Sequence, residues 1–362
     1  MSDTPLRVAF DVTPVISGRT GIARYVTQVG EALERTDVEL RRFAIGRSAF
    51  PAPLSTRRLP VPAKVVYGWW RALPWPPVER LFRGEGDPQL VHATGPLTPA
   101  TRLPLVVTVH DIAAVRHPEL HPARHVRQQR SQLGTLNRAA AILTVSQATA
   151  DDLAAFGVAP ERLVVAPLGI SPLPPPAPVP DLDGRAPYLL TVGETAARKG
   201  YGVLLAALAR LDPGIELVMA GPPAGDEQRL TSLAAQLGIA NRLRRLGPVS
   251  DAALAGLYRG ALALCFPSIA EGFGLPLLEA MVSGTPIIAS DIPPSRELAG
   301  PAAIYVANDA AGWADAIAVV ASDDSLRRRL AAAGRERGPS FTWERTAART
   351  EDAYRLALAN GG

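Results

Sequence analysis

Cysteine is nearly absent from this 362-residue chain: Cys265 stands alone, which excludes an internal disulfide framework and gives no evidence for an oxidising compartment. Lysine is almost as scarce, Lys64 and Lys199 being the only two among 38 basic residues. No uninterrupted apolar run approaches the roughly 20 residues needed to cross a bilayer. Ser2-Asp-Thr-Pro-Leu-Arg7 leads straight into a strand pattern rather than a secretory leader, so the expected location is cytoplasmic. No Gly-x-Gly-x-x-Gly follows a strand, which argues against a nicotinamide oxidoreductase. No period of about 20 to 50 residues repeats, which argues against a solenoid. The five histidines, three of them between His117 and His125, lack the spacing of a zinc site.

What is present is a globular composition, 47% apolar, in a chain long enough for two domains of ordinary size. The proline-rich stretch from Ser171 to Pro180 can continue neither sheet nor helix and divides the chain almost in half. After it, strand and helix patterns alternate: Tyr188 to Val192, Tyr201 to Arg210, Ile215 to Ala220, Glu227 to Leu237, Leu243 to Leu246, Asp251 to Arg259. Such alternation implies a parallel sheet covered on both faces. The first half is similar but more interrupted. There Leu6 to Val12 reads as a strand, and Ser17-Gly-Arg-Thr-Gly-Ile-Ala-Arg-Tyr25 reads as a glycine loop entering a helix that runs to about Arg35. Ile22, Val26, Val29 and Leu33 recur on that helix at helical spacing and are expected to pack on the sheet. A last helix pattern covers Thr342 to about Ala359. The expected domains are residues 1–170, a linker 171–184, residues 185–341 and a C-terminal helix 342–362.

Three segments carry chemistry. The first is Glu271-Gly-Phe-Gly-Leu-Pro-Leu-Leu-Glu279, after the strand-like run Ala261 to Phe266. Gly272 and Gly274 allow close approach of a bulky group or positive φ, Pro276 suits a first helical turn, and the free amides of a helix start can hold an anion. Glu279 falls in or near the first turn, where it would repel an adjacent phosphate and suits sugar hydroxyls better. For either glutamate alone, an acidic helix cap accounts equally well for the residue. The second segment is Val192-Gly-Glu-Thr-Ala-Ala-Arg-Lys-Gly200, where Lys199 is a rare choice beside Arg198; fixed fork and mobile point charge together suit phosphate, although a solvated surface pair would look the same. The third is the strand Leu105 to Val109 with His110 and Asp111 at its C-terminal end, where open α/β sheets place ligands. A lone histidine there is as often structural, and His92, which ends the preceding strand, is a weaker candidate.

Glu271-x7-Glu279 with its inner Gly-Phe-Gly-Leu-Pro strongly resembles the donor-site signature of retaining glycosyltransferases of the GT-B fold, the large class of glycosyl transferases group 1 that includes bacterial mannosyltransferases. The resemblance covers nearly the whole chain and is strongest from Val192 to Gly300. It implies an α/β fold of two Rossmann-like domains facing each other across a deep cleft, the first binding acceptor and the second nucleotide-sugar. It also implies that the C-terminal helix crosses back to the first domain. By resemblance, Glu271 lies near the donor sugar and diphosphate and Glu279 binds ribose. Arg198 and Lys199 neutralise the diphosphate, and the amides of Phe273, Gly274 and Leu275, with Gly272, face the donor. His110 approaches the donor sugar, and Gly21 meets the donor from the first domain. Two departures stand out: Ala23 replaces a second glycine after Gly21, and Glu194 occupies a position that is arginine in some relatives, so that it is expected to face acceptor or solvent.

The implied reaction moves a sugar from a nucleoside-diphosphate donor, GDP-mannose first and UDP- or dTDP-sugars next, to a hydroxyl of a glycan, lipid-linked or small-molecule acceptor. No cofactor or metal is expected, protein cations and helix amides replacing the divalent ion that other transferases hold through an Asp-x-Asp motif. Charge is uneven: residues 1–170 contain 20 basic against 14 acidic residues and residues 171–362 contain 18 against 20. The basic half, with Arg41-Arg42, Arg57-Arg58, Trp69-Trp70-Arg71 and Trp75, would suit peripheral contact with anionic lipid, or is a solvated basic surface. No nucleic-acid module accompanies the charge. A phosphorylase of the same architecture and a non-catalytic nucleotide-sugar binder remain as alternatives; release of inorganic phosphate, of nucleotide or of neither separates the three.

Overall fold

In the computed structural model, residues 5–361 are described except 19, 48–52, 54, 74, 85, 96 and 180–186. Part of the expected linker, residues 180–184, and Arg19 of the glycine loop therefore lie outside the described residues. The chain divides into two compact units, one of residues 1–118, 122–169 and 342–362 and the other of residues 119–121 and 170–341.

The first unit holds a seven-stranded sheet: β1 (Leu6–Asp11), β2 (Val38–Ile45), β3 (Arg57–Leu59), β4 (Leu90–Ala93), β5 (Leu105–Val109), β6 (Ala141–Thr144) and β7 (Leu163–Val165), in the order β3-β2-β1-β4-β5-β6-β7. Every neighbouring pair is parallel. β4, β5 and β6 are buried along their whole length, as the apolar runs require when helices cover both faces. The helix Gly21–Leu33 is capped by Thr20, whose hydroxyl accepts from Ala23 N, and it buries Tyr25, Val26, Val29 and Leu33. Ile22, expected on that face, is only partly buried, and Ala23 takes its place. The C-terminal helix Trp343–Asn360, capped by Thr342, packs against this helix and against β6 and β7.

The second unit holds six parallel strands: β8 (Tyr188–Val192), β9 (Glu216–Ala220), β10 (Leu243–Gly247), β11 (Ala263–Phe266), β12 (Ile287–Ser290) and β13 (Ala303–Val306), in the order β10-β9-β8-β11-β12-β13. Cys265 lies fully buried within β11 and packs as a core residue. Each sheet thus reverses its winding once, between β1 and β4 and between β8 and β11. These are the points at which connecting helices leave to opposite faces and open a crevice at the carboxyl ends of the strands. The fold is two parallel Rossmann-like α/β domains. Among the described residues no helix is long and apolar enough to cross a membrane.

Candidate active site

In the second unit the loops leaving β8 and β11, on either side of the switch point, are tied together through their backbones. Ile269 N donates to Arg198 O at 2.8 Å. Gly200 sits at φ 66°, and a side chain there would run into the Pro267 carbonyl, so both conformation and space demand glycine. The single turn Ala197–Lys199 hangs between these fixed points and carries the basic pair into the crevice.

The pair closes on Glu271. Lys199 Nζ is 2.5 Å and Arg198 Nη1 3.2 Å from Glu271 Oε1, with the lysine and glutamate side chains only 8% and 10% exposed. Lys199 Nζ also lies 5.3 Å from the centre of the Phe266 ring. Burial pushes the Glu271 pKa up, but the Lys199 and Arg198 charges outweigh it and hold the carboxyl below its ordinary value. Arg198 Nη2 meets Glu194 Oε1 at 2.8 Å. Glu194 therefore anchors the arginine fork, where solvent or acceptor was expected. Two carboxylates and two cations leave the group neutral, so the cations are held in place without ligand and at little electrostatic strain.

The helix after this loop spans Leu275–Ser283. Of the two motif glycines, Gly274 alone needs its type, at φ 101° where the helix begins. Phe273 is buried with its ring 6.1 Å from that of Phe341, so its side chain packs. Glu279 is the fifth helical residue, one turn further in than expected and beyond the reach of the N-terminal dipole. It is 3% exposed and accepts a 2.8 Å hydrogen bond at Oε2 from the hydroxyl of Tyr258, itself fully buried on the helix Asp251–Gly260. Tyr258 had looked like part of an ordinary apolar helix face, since its partner is supplied by a different helix. If the phenol orients Glu279 for a ligand, Tyr258→Phe should weaken nucleoside-diphosphate binding roughly 10-fold while leaving kcat within a few-fold, as expected for a hydrogen bond to a charged group. Titration calorimetry with the free nucleotide checks this, and an unchanged Kd would remove Tyr258 from the site.

In the first unit, residues around the switch point between β1 and β4 are joined by buried hydrogen bonds. Thr94 Oγ1 donates to Asp11 O at 2.7 Å, and His110 Nε2 bonds Thr94 O at 3.0 Å. A carbonyl only accepts, so Nε2 carries the proton and Nδ1 offers a lone pair. Burial lowers the His110 pKa against the opposing effects of Thr94 and Asp111, which keeps the ring neutral near pH 7. Its ring packs edge-on against Tyr25 at 4.9 Å, on the helix that Gly21 begins. His92 is fully buried between Tyr354 and Thr108, each 2.8 Å from a ring nitrogen, and belongs to the core. Arg198, Lys199 and Glu271 thus meet in one unit, with Glu279 on the adjoining helix; Gly21 and His110 lie in the other.

No group of three or more metal-ligating side chains occurs among the described residues. The sequence does contain one Asp-x-Asp string, Asp181-Leu182-Asp183, contrary to the expectation that it has none; it falls in the proline-rich segment outside the described residues.

Two family models match the chain: Glycosyltransferase Family 4 over residues 19–172 and Glycosyl transferases group 1 over residues 178–337. The MMP alpha-(1->4)-mannosyltransferase of Mycolicibacterium hassiacum is 34% identical over 303 residues, covering 76% of this chain and 72% of the relative. Among solved structures, sucrose-phosphate synthase from Thermosynechococcus elongatus superposes with a TM-score of 0.79 at 22% identity, over 98% of this chain and 99% of that one. HepE from Anabaena, in complex with UDP and glucose, does so at 0.73 and 17%, over 97% and 99%. The chain therefore belongs to the glycosyl transferases group 1 and is a glycosyltransferase of the GT-B type.

Proposed function

We propose that this glycosyltransferase moves a hexosyl group from a nucleoside-diphosphate sugar to an acceptor hydroxyl with retention at the anomeric carbon and without a metal ion. The observation that carries the reading is the buried Arg198-Lys199-Glu271 group at the crevice between β8 and β11. On binding, the donor diphosphate takes up the two cations and the amides of Phe273, Gly274 and Leu275. The same groups stabilise the charge that accumulates on the departing nucleotide, with little reorganisation because they are already in place. Glu279 accepts from ribose hydroxyls. His110, neutral, receives a hydrogen bond at Nδ1 from a donor-sugar hydroxyl, and the Gly21 amide closes on the donor from the first unit. The acceptor hydroxyl attacks on the face that the leaving group vacates, so no dedicated protein base is needed.

GDP-mannose is the first candidate donor, supported by the mannosyltransferase relative; UDP, bound in HepE, keeps UDP-sugars next, and dTDP-sugars follow. Val65, Trp69, Leu73 and Trp75 are each about half exposed, with Arg80 stacked over Trp75, which supports peripheral contact of the first unit with a cytoplasmic membrane face. The acceptor is then a glycan, lipid-linked or small molecule. A thermal-shift screen of GDP, UDP and dTDP identifies the base, since a bound nucleotide raises the transition in proportion to affinity. NMR of the product gives the anomeric configuration. Turnover is expected to survive excess EDTA; abolition by EDTA with rescue by manganese would overturn the metal-free mechanism.

A further inference from the structure

The first unit contains a second built cavity, of about 270 Å³, between the helices Ala63–Ala72 and Ala123–Leu133 and the segment that follows β4. Its position is fixed by the carboxyl ends of three strands. The Tyr67 hydroxyl donates to Asp11 Oδ2 at 3.1 Å at the end of β1. Thr98 lies five residues beyond β4, and Gln129 Nε2 holds Asp111 O, beyond β5, at 3.1 Å. The cavity thus opens at the edge where such sheets bind ligands.

Its lining has a distinct chemistry. The carboxamides of Gln128 and Gln132, one helical turn apart, and the Thr98 hydroxyl have no hydrogen-bond partner among the described residues. Beside them is the exposed ammonium of Lys64, which pairs with no described carboxylate in a chain where nearly every base is arginine. Carboxamides and a hydroxyl act as donors and acceptors at once, which is the pattern that recognises vicinal hydroxyls; a lone ammonium recognises an anion as a point charge. The volume lies just below the range of about 300–1,000 Å³ usual for larger ligands, enough for a single ring.

We propose that this cavity is the acceptor subsite and selects a cyclic polyol bearing a phosphate, its hydroxyls on Gln128, Gln132 and Thr98 and its phosphate on Lys64. The proposal rests on the glycosyltransferase reading and narrows the acceptor to a monocyclic, anionic one, free in solution or presented as a lipid headgroup.

Lys64 supplies its own reporter. The other lysine is 6% exposed, so acetylation by an N-hydroxysuccinimide ester, quantified on the Lys64 peptide by mass spectrometry, reads this cavity. The probes are mannose 6-phosphate and inositol 1-phosphate, their unphosphorylated parents, inorganic phosphate, and phosphatidylinositol vesicles against phosphatidylcholine ones. At a few times Kd, a phosphorylated ring should slow labelling about 5-fold, and its parent or inorganic phosphate less than about 2-fold. Protection by vesicles alone identifies the source as a headgroup, and protection by the free compounds identifies a soluble acceptor. A Cβ at Gly68, on the cavity lip, meets nothing within 4 Å, so Gly68→Phe should plug the cavity with the helix intact and abolish protection. Equal protection by inorganic phosphate, protection by no probe, or protection that survives Gly68→Phe would each overturn the proposal. Calorimetry with nucleoside diphosphate is run in parallel. Loss of protection with nucleotide binding retained counts against this subsite alone, whereas absent nucleotide binding counts against the donor reading.

Discussion

Lys199→Ala is expected to lower kcat about 100-fold or more, the usual loss on removing one group that stabilises developing charge. Lys199 is the stronger choice of the two cations because it is the more buried: Arg198 is 21% exposed and shares its fork between Glu194 and Glu271, while the lysine is committed to Glu271 at 2.5 Å. The variant also leaves Glu271 short of one partner in a nearly closed site, which can cost stability on the order of 3–5 kcal/mol. A second variant removes that ambiguity. Lys199→Met combined with Glu271→Gln carries no unpaired charge and should fold, yet remain as inactive as the single variant. Glu271→Gln by itself makes the site one charge more positive; nucleoside-diphosphate affinity should hold or rise while turnover falls, the reverse of what is expected for Glu279→Gln. Near-normal turnover in either Lys199 variant, with a native circular-dichroism spectrum, would refute the diphosphate role. If Glu271→Gln loses nucleotide and Glu279→Gln does not, the two glutamates exchange roles.

A second large effect is expected from pH and involves the core of the first unit. Burial, aided by the neighbouring His110, lowers the His92 pKa to about 3, so the folded state refuses a proton that the unfolded chain takes up near 6.5. The unfolded state binds more protons between these values, so His92 stabilises fully above pH 6.5 and loses that contribution as pH falls, by about 1.4 kcal/mol per unit. Asp11 has the opposite sign. Burial raises its pKa to about 6, the hydrogen bonds from Thr13 and Tyr67 offsetting only part, so its contribution falls as pH rises from about 4 to 6. The two slopes nearly cancel in the native protein and are separated by substitution. Between pH 6.5 and 4, the wild type should lose about 3 kcal/mol relative to His92→Gln, and gain about as much relative to Asp11→Asn. Denaturant unfolding followed by tryptophan fluorescence suits the measurement, because Trp69, Trp70, Trp75 and Trp343 belong to the first unit and only Trp313 to the second. Parallel pH profiles for the wild type and His92→Gln would show that the ring titrates in the folded state.

Strand and helix identity was legible because the signals are local. Runs such as Leu105 to Val109 are apolar at every position, as a strand covered on both faces must be, and glycine followed by a helix pattern marks each crossover. The errors have equally local causes. A helical period identifies a face only to within a residue, so Ile22 and Ala23 were exchanged. The start of the donor-site helix was read at the glycines, although the backbone becomes helical only at Leu275, which moved Glu279 one turn inward.

By itself the sequence determined the class of architecture and the strings that carry the chemistry: two parallel α/β domains divided at the prolines, Arg198-Lys199-Gly200, and Glu271-x7-Glu279. Each depends on residue type and short spacing, which one stretch of chain contains. Which charges meet was decided by the tertiary structure alone. Lys199 and Glu271 are 72 residues apart and become neighbours only because β8 and β11 adjoin where the sheet reverses. Glu279 finds Tyr258 across 21 residues, and His92 finds Tyr354 across 262. Pairing of that kind depends on strand order and helix docking, and burial then sets both protonation and hydrogen-bond direction, none of which a single segment encodes.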